Sequence, residues 1–284
     1  MVQDWLEGFL AQETLPASFG ETVSLVCAPL AARAAELRCA LGPGVVVGLC
    51  GAQGSGKSTV AAATVRLLAM QGLSAAALSL DDVYLTREAR RRLAAQVHPL
   101  LATRGVPGTH EIGLALEVLD RLREPGEVAL PAFDKAIDDR KPREAWRRVA
   151  GPVDVVLLEG WCVGAQPQPP AALASPVNAL EAEADPQAVW RGYVNAQLAG
   201  PYRALFARLD LLALLRVPSF EVVLGWRIEQ ERKLIARTGR GMEDAEVARF
   251  IACYERLTRW ILDEMPARAD LVFPLGPDRR PLRT

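Results

Sequence analysis

Apolar residues along this chain fall into two patterns: short unbroken runs, and longer stretches where they recur every three or four positions. The unbroken runs are VVVGLC from Val45, SAAALSL (74–80), VDVVLLEG (153–160), LDLLALLRV (209–217) and ADLVFPL (269–275). Continuous rather than alternating apolarity predicts strands buried on both faces, as in a parallel sheet covered by helices. LDLLALLRV fits a helical period equally well. The PSFE that follows decides for a strand, because Ser219 as N-cap and Glu221 in a first turn start a helix there. STVAAATVRLLAMQG is rich in helix formers and ends on Gly72, a C-cap residue. Residues 2–41 read as helical, with Trp5, Phe9 and Leu10 as an apolar stripe, until the GPG at 42–44 ends them. The pattern therefore predicts an α/β fold with a five-stranded, mostly parallel sheet flanked by helices. An N-terminal helical extension (1–41) packs on a main domain (42–284). Inside that domain the Pro/Ala-rich segment 164–187 is a long loop or excursion, since a strand follows it.

Composition narrows the chemistry. Half of the 284 residues are hydrophobic, 24% are charged and the formal net charge is -1, so nothing pulls the whole molecule toward nucleic acid or an anionic membrane. Any electropositive site must be local. The five cysteines contain no Cys-x-x-Cys pair and read as buried thiols in a reducing compartment. Two histidines without a His-x-x-x-His spacing argue against zinc. The start, MVQDWLEGFLAQETLP, carries acids where a secretory signal needs a basic start, and a cytoplasmic location is expected.

Between the first strand and its helix lies Gly51-Ala52-Gln53-Gly54-Ser55-Gly56-Lys57-Ser58, followed by Thr59, a full match to G-x-x-x-x-G-K-S/T. Glycines let the backbone turn its N–H groups around phosphate oxygens, and the helix N-terminus adds its dipole. Lys57 neutralises the β and γ phosphates, and the Ser58 hydroxyl is suited to magnesium. This is the signature of a P-loop NTPase. Glu159 closes the VDVVLLEG strand and so lies at the carboxyl edge of the sheet, where it can reach magnesium or a water bound to it. Asp81 and Asp82 in SLDDVYL end the strand after the P-loop helix. A carboxylate there can take the proton of a substrate hydroxyl, with Asp81 the candidate base and a further candidate metal ligand.

Two loops carry candidate acceptor-binding residues. HPLLATRGVPGTHE (98–111) holds Arg104, Thr109 and both histidines, His98 and His110. LPAFDKAIDDRKPR (130–143) holds Lys135 and Arg140. Their cations suit an anionic acceptor. The helix from Ser219 bears Arg227, Arg232, Lys233, Arg237 and Arg240, a basic strip that can close over developing charge; Arg227 with Glu231 is also an i,i+4 ion pair in form.

The P-loop, LDDVYL, HPLLATRGVPGTHE, PAFDKAIDDR, LLEGW and WRIEQE occur in this order, and from about Val45 onward the chain resembles the D-glycerate 3-kinase family of the plant and bacterial type. That family is similar to uridine kinases, phosphoribulokinases and bacterial pantothenate kinases. The resemblance implies a kinase that uses ATP and magnesium to phosphorylate a hydroxyl of D-glycerate, a small acidic substrate. It implies Asp81 as base, Glu159 on a Walker-B-like strand, an acceptor region over about 82–145 that includes Asp82, Tyr84 and His110, and a lid over about 226–243. Val194, Asn195, Gly241 and Met242 also match family positions, while Val83 stands where an aromatic residue is common. Two other readings compete. One is a kinase of a nucleoside or pantothenate-like acceptor, and the other an ATP-binding regulatory protein with no acceptor.

Overall fold

The computed structural model describes residues 2–238 and 241–283, except the side chains of residues 2–4, 233–234 and 237–238. In chain order the strands are β1 (Val45–Gly51), β2 (Ala75–Ser79), β3 (Gly126–Leu130), β4 (Phe133–Asp134), β5 (Asp139–Arg140), β6 (Arg147–Gly151), β7 (Val155–Gly160), β8 (Leu211–Arg216) and β9 (Leu271–Pro274). Five of them form one sheet in the order β2-β7-β1-β8-β9, and every pairing in it is parallel. The expected "mostly parallel" sheet is thus entirely parallel. β1 shows why its sequence is continuously apolar: Val45, Val47 and Leu49 join the core on one face, Val46 and Cys50 the core on the other. Successive side chains alternate between two buried faces, so no position is left for a polar residue.

The helices are α1 (Val2–Gln12), α2 (Phe19–Thr22), α3 (Ala28–Leu41), α4 (Lys57–Met70), α5 (Arg87–Gln96), α6 (Ile112–Arg121), α7 (Ala179–Ala184), α8 (Val189–Ala199), α9 (Pro201–Phe206), α10 (Phe220–Thr238) and α11 (Asp244–Glu264). Residues 2–41 are not one continuous helix. The chain breaks after α1 at Thr14, whose φ is +53°, and a short π-helical segment (Val23–Cys27) leads into α3. Phe9, Val26 and Leu30 pack with Val47 and Leu68 on one face of the sheet. Leu119, Ile251 and Leu257 pack with Val46 and Leu158 on the other.

Segment 164–187 is more ordered than a bare loop. It contains a 3-10 turn (Pro170–Leu173) and α7, and two buried ion pairs pin it: Arg256 with Glu181 at 2.7 Å and Arg191 with Asp185 at 3.1 Å. Of the cysteines, Cys27, Cys50 and Cys162 are buried, but Cys39 is exposed, because it sits near the C-terminal end of α3 past the residues that face the core. No helix among the described residues is long and apolar enough to cross a membrane.

Candidate active site

The P-loop leaves β1 at Gly51 and enters α4 at Lys57, so the first amides of α4 and its dipole face the loop mouth. Gly54 and Gly56 have φ of +79° and +84°, and a Cβ on Gly54 would lie 3.2 Å from Trp226 Cβ. A side chain there meets both backbone strain and a wall. Ala52 and Ser55 are buried, and Thr59 is half-buried in the first turn. The Ser55 hydroxyl and Gln53 Oε1 are buried without a protein partner.

The sheet register puts Glu159 beside Leu49 of β1 and Ser79 of β2. Ser58 Oγ donates to Glu159 Oε1 at 2.9 Å. Glu159 is only 4% exposed, yet its Oε2 has no partner. A buried carboxylate oxygen left unpaired is costly unless a ligand completes it. Hydroxyl and carboxylate oxygens are the hard donors that magnesium takes, with water and phosphate filling the rest of its shell. Ser58 and Glu159 therefore fit magnesium, although among the described residues no three His, Cys, Asp or Glu side chains form a metal cluster of their own.

Across from the loop, Asp81 lies in a 3-10 turn (Leu80–Val83) that follows β2. Tyr84 Oη donates to Asp81 Oδ1 at 2.9 Å, and Lys135 Nζ to Asp81 Oδ2 at 2.7 Å. Burial pushes the Asp81 carboxyl up, but the charges of Lys135 and Lys57 outweigh it and hold the group at about 2. Asp81 is thus ionised at neutral pH. Lys57, Asp81, Arg104, Lys135 and Arg227 line one cleft of about 230 Å³, walled by Tyr84, Trp161 and Tyr254. Arg104 pairs with Asp138 and lies over the Phe133 ring, 5.5 Å from its centroid. Arg227 pairs with Glu231 at 2.6 Å, as its spacing suggests. A wider cleft of 580 Å³ opens beside Leu211 and Asp270, at the amino ends of β8 and the approach to β9, away from the P-loop edge. Its size does not make it the site of the chemistry, because the phosphate loop and the base lie at the carboxyl edge.

Several candidate acceptor residues serve the scaffold instead. Thr109 is fully buried; its Oγ1 accepts from the Gly105 N–H and donates to Val106 O. Arg140 donates to Tyr84 O and pairs with Glu111. Asn195 is bonded on both amide atoms to the Gln168 backbone, so it holds segment 164–187 rather than a substrate. Asp82 accepts from the Phe133 N–H at 3.1 Å, and burial raises its pKa. His98 caps a 3-10 turn and reaches Ala184 O, so the two histidines do not form one donor cluster. Both Asp81 oxygens accept from acceptor-side groups, Tyr84 and Lys135, whereas Ser58 and Glu159 are bonded to each other. Arg232 is spent on Asp244. The Arg237 side chain and Arg240 lie outside the described residues.

His110 lies deeper than expected. It is 5% exposed, stacked on Tyr84 with 4.4 Å between ring centroids, and its Nε2 has no protein partner. Burial drives its pKa down to about 3, against the charge of Asp81, so the ring is neutral. Residues that no motif announced also build the site. Arg90 in α5, 0% exposed, donates to Leu85 O, Ala102 O and Asp138 and so ties three acceptor segments together. Tyr254 comes from α11 and donates to Arg104 O; a Cβ on Gly105 would strike its hydroxyl.

Residues 46–165 match the model of the phosphoribulokinase/uridine kinase family. An uncharacterized kinase of Schizosaccharomyces pombe, mug58, is 34% identical over 220 residues, which cover 74% of this chain and 78% of that protein. The chain belongs to the phosphoribulokinase/uridine kinase family. It is a P-loop kinase of that family, and it is similar to the chloroplastic D-glycerate 3-kinase of Arabidopsis thaliana, 29% identical over 258 residues, 84% of this chain and 54% of that one. Among solved structures, D-glycerate 3-kinase from Cryptococcus neoformans superposes with a TM-score of 0.75 at 26% identity, covering 92% of this chain and 98% of the other.

Proposed function

We propose that this family member transfers the γ-phosphoryl group of ATP to a hydroxyl of a small hydroxy acid, D-glycerate. The observation that carries the reading is the cleft itself: four cations, Lys57, Arg104, Lys135 and Arg227, and one carboxylate, Asp81, line the same space of about 230 Å³. That volume suits a small acceptor, and that charge suits an anionic one. The two relatives named D-glycerate 3-kinase support the same acceptor. A nucleoside is disfavoured because the aromatic residues of the acceptor loops are already covered. His110 stacks on Tyr84, while Arg90 and Arg104 lie against Phe133.

In this reading the amides of residues 51–56 and Lys57 hold the triphosphate. Ser58 and Glu159 would hold magnesium, which supplies charge neutralisation to the phosphates. Asp81 orients the acceptor hydroxyl. The hydroxyl oxygen bonds to the γ-phosphorus, the bond from phosphorus to the β,γ-bridging oxygen breaks, ADP leaves, and the hydroxyl proton passes to Asp81. A carboxylate held near 2 is a weak base. In a loose transition state the proton leaves late, so orientation is the larger part of its work. An acceptor carboxylate offers Lys135 and Arg104 a second partner, and Arg227, Arg237 and Arg240 stabilise the transferring group.

Acceptor-dependent ADP release, measured over D-glycerate, L-glycerate, glycerol, uridine, pantothenate and ribulose 5-phosphate, tests the proposal. D-glycerate should give the highest kcat/KM, and glycerol, which lacks the carboxylate, should fall at least about 100-fold below it. No release above background on D-glycerate would sink the assignment.

A further inference from the structure

Tyr202, in α9, is 0% exposed and meets the acceptor loop through its hydroxyl and through an edge-on ring contact with His110, 5.7 Å between centroids. The Gly108 N–H donates to Tyr202 Oη at 3.0 Å. The same hydroxyl is hydrogen-bonded to His110 Nδ1. Backbone N–H groups cannot accept, so among the described residues the phenol proton has one acceptor, His110 Nδ1. The reverse arrangement, with Nδ1–H donating to Oη, would bury the phenol proton without a partner. A neutral imidazole that accepts at Nδ1 carries its proton on Nε2.

We propose that Tyr202 is a positioning residue: it fixes His110 as the Nε2–H tautomer, and that N–H is a dedicated donor to an oxygen of the acceptor's anionic group. The proposal rests on the hydroxy-acid reading of the cleft. His110 Nε2 is buried and unpartnered, which is where a ligand oxygen completes a site. The His110 ring stacks on Tyr84, which lines the cleft and donates to Asp81, so the free donor lies next to the residue that holds the base. His110 and Tyr84 also form a backbone bridge.

The loop under His110 is built to stay in place. Gly108, at φ +100°, packs so closely on Tyr193 that a Cβ would approach its ring to 2.5 Å, and Trp161 Nε1 donates to Gly105 O at 2.8 Å. A fixed N–H selects for a carboxylate or carbonyl oxygen and opposes an ammonium or amide N–H in the same place. Being neutral, it orients an acid without adding to the attraction that the four cations supply.

With only two histidines in the chain, imidazole nitrogens labelled with 15N in the full-length protein are readily assigned, His98→Asn identifying the second set. Long-range proton–nitrogen correlations between pH 6 and 8 should show His110 as a single Nε2–H tautomer. Tyr202→Phe keeps the ring that packs on Phe206 and removes only the hydroxyl. In that variant the tautomers should mix, and the acceptor KM should rise about tenfold while kcat and the KM for ATP stay within about twofold. An Nδ1–H or cationic His110 in the unmodified chain overturns the proposal without recourse to any variant. An unchanged single tautomer in Tyr202→Phe overturns the role of Tyr202, and mixed tautomers with an unchanged acceptor KM overturn the role of His110 in recognition. If no acid is phosphorylated but the tautomer behaves as described, the acceptor reading fails and the positioning of His110 by Tyr202 stands.

Discussion

Asp81→Asn is expected to lower phosphoryl transfer by about 10²–10⁴-fold while ATP binding changes by no more than about threefold. The asymmetry follows from where the carboxylate lies. Asp81 belongs to the turn after β2, across the cleft from the P-loop amides. Its oxygens contact Tyr84 and Lys135, both on the acceptor side. The amide of Asn can still accept from Tyr84, so the local fold should hold, but it cannot take a proton from a hydroxyl and presents N–H groups or a weaker acceptor to Lys135. Acceptor-dependent ADP production and calorimetric ATP binding on the same preparation separate the two effects. Full transfer in Asp81→Asn to every acceptor tried would remove Asp81 from the base role. An ATP-binding regulatory protein without an acceptor would instead keep its slow hydrolysis unchanged.

Arg90→Met should produce the largest stability loss of any single change in the acceptor region, about 3 kcal/mol. The guanidinium is fully buried and serves the carbonyls of Leu85, Ala102 and Asp138 together with the Asp138 carboxylate. Met fills much of the volume and satisfies none of those acceptors. Asp138 is 30% exposed and can turn to water, which keeps the cost at the low end for a broken buried pair. In a chain of this size the loss corresponds to a fall in Tm of roughly 5–10 °C. Because Asp138 also pairs with Arg104, the acceptor KM should rise in the same variant while the KM for ATP holds. An unchanged Tm would show that the three segments are held by packing alone. Arg90→Lys should not restore stability, since one ammonium cannot match a planar fork that reaches several directions.

These two residues mark the difference between what the sequence makes legible and what it hides. Asp81 could be read because it stands at the end of an apolar strand next to a P-loop helix, and local chain direction alone puts it at the carboxyl edge. The positions of the P-loop and of Glu159 are legible for the same reason: each lies within one strand and its exit. LDLLALLRV was ambiguous by period, and the register of β8 beside β1 gives the reason. Its side chains feed both buried faces of the sheet, so nothing polar breaks the run until Arg216.

Arg90 sits in REARRRLAAQ, where a basic residue reads as a solvated face, and only the fold of the distant 138 loop buries it. Thr109, Arg140 and Asn195 err in the opposite direction. They lie in irregular chain whose backbone groups have no helix or sheet partner, and polar side chains nearby are consumed in satisfying them. In such regions a polar residue is as much a substitute for secondary structure as a ligand contact. Tyr254 was hidden by distance, since it reaches Arg104 O across 150 positions of chain.

The phosphorus NMR spectrum of a reaction containing the purified chain, ATP, magnesium and D-glycerate bears most directly on the cleft as a two-substrate site. A phosphomonoester on the primary hydroxyl of D-glycerate should grow in step with ADP. ATP turned over to inorganic phosphate alone, or a spectrum that does not change, would contradict it.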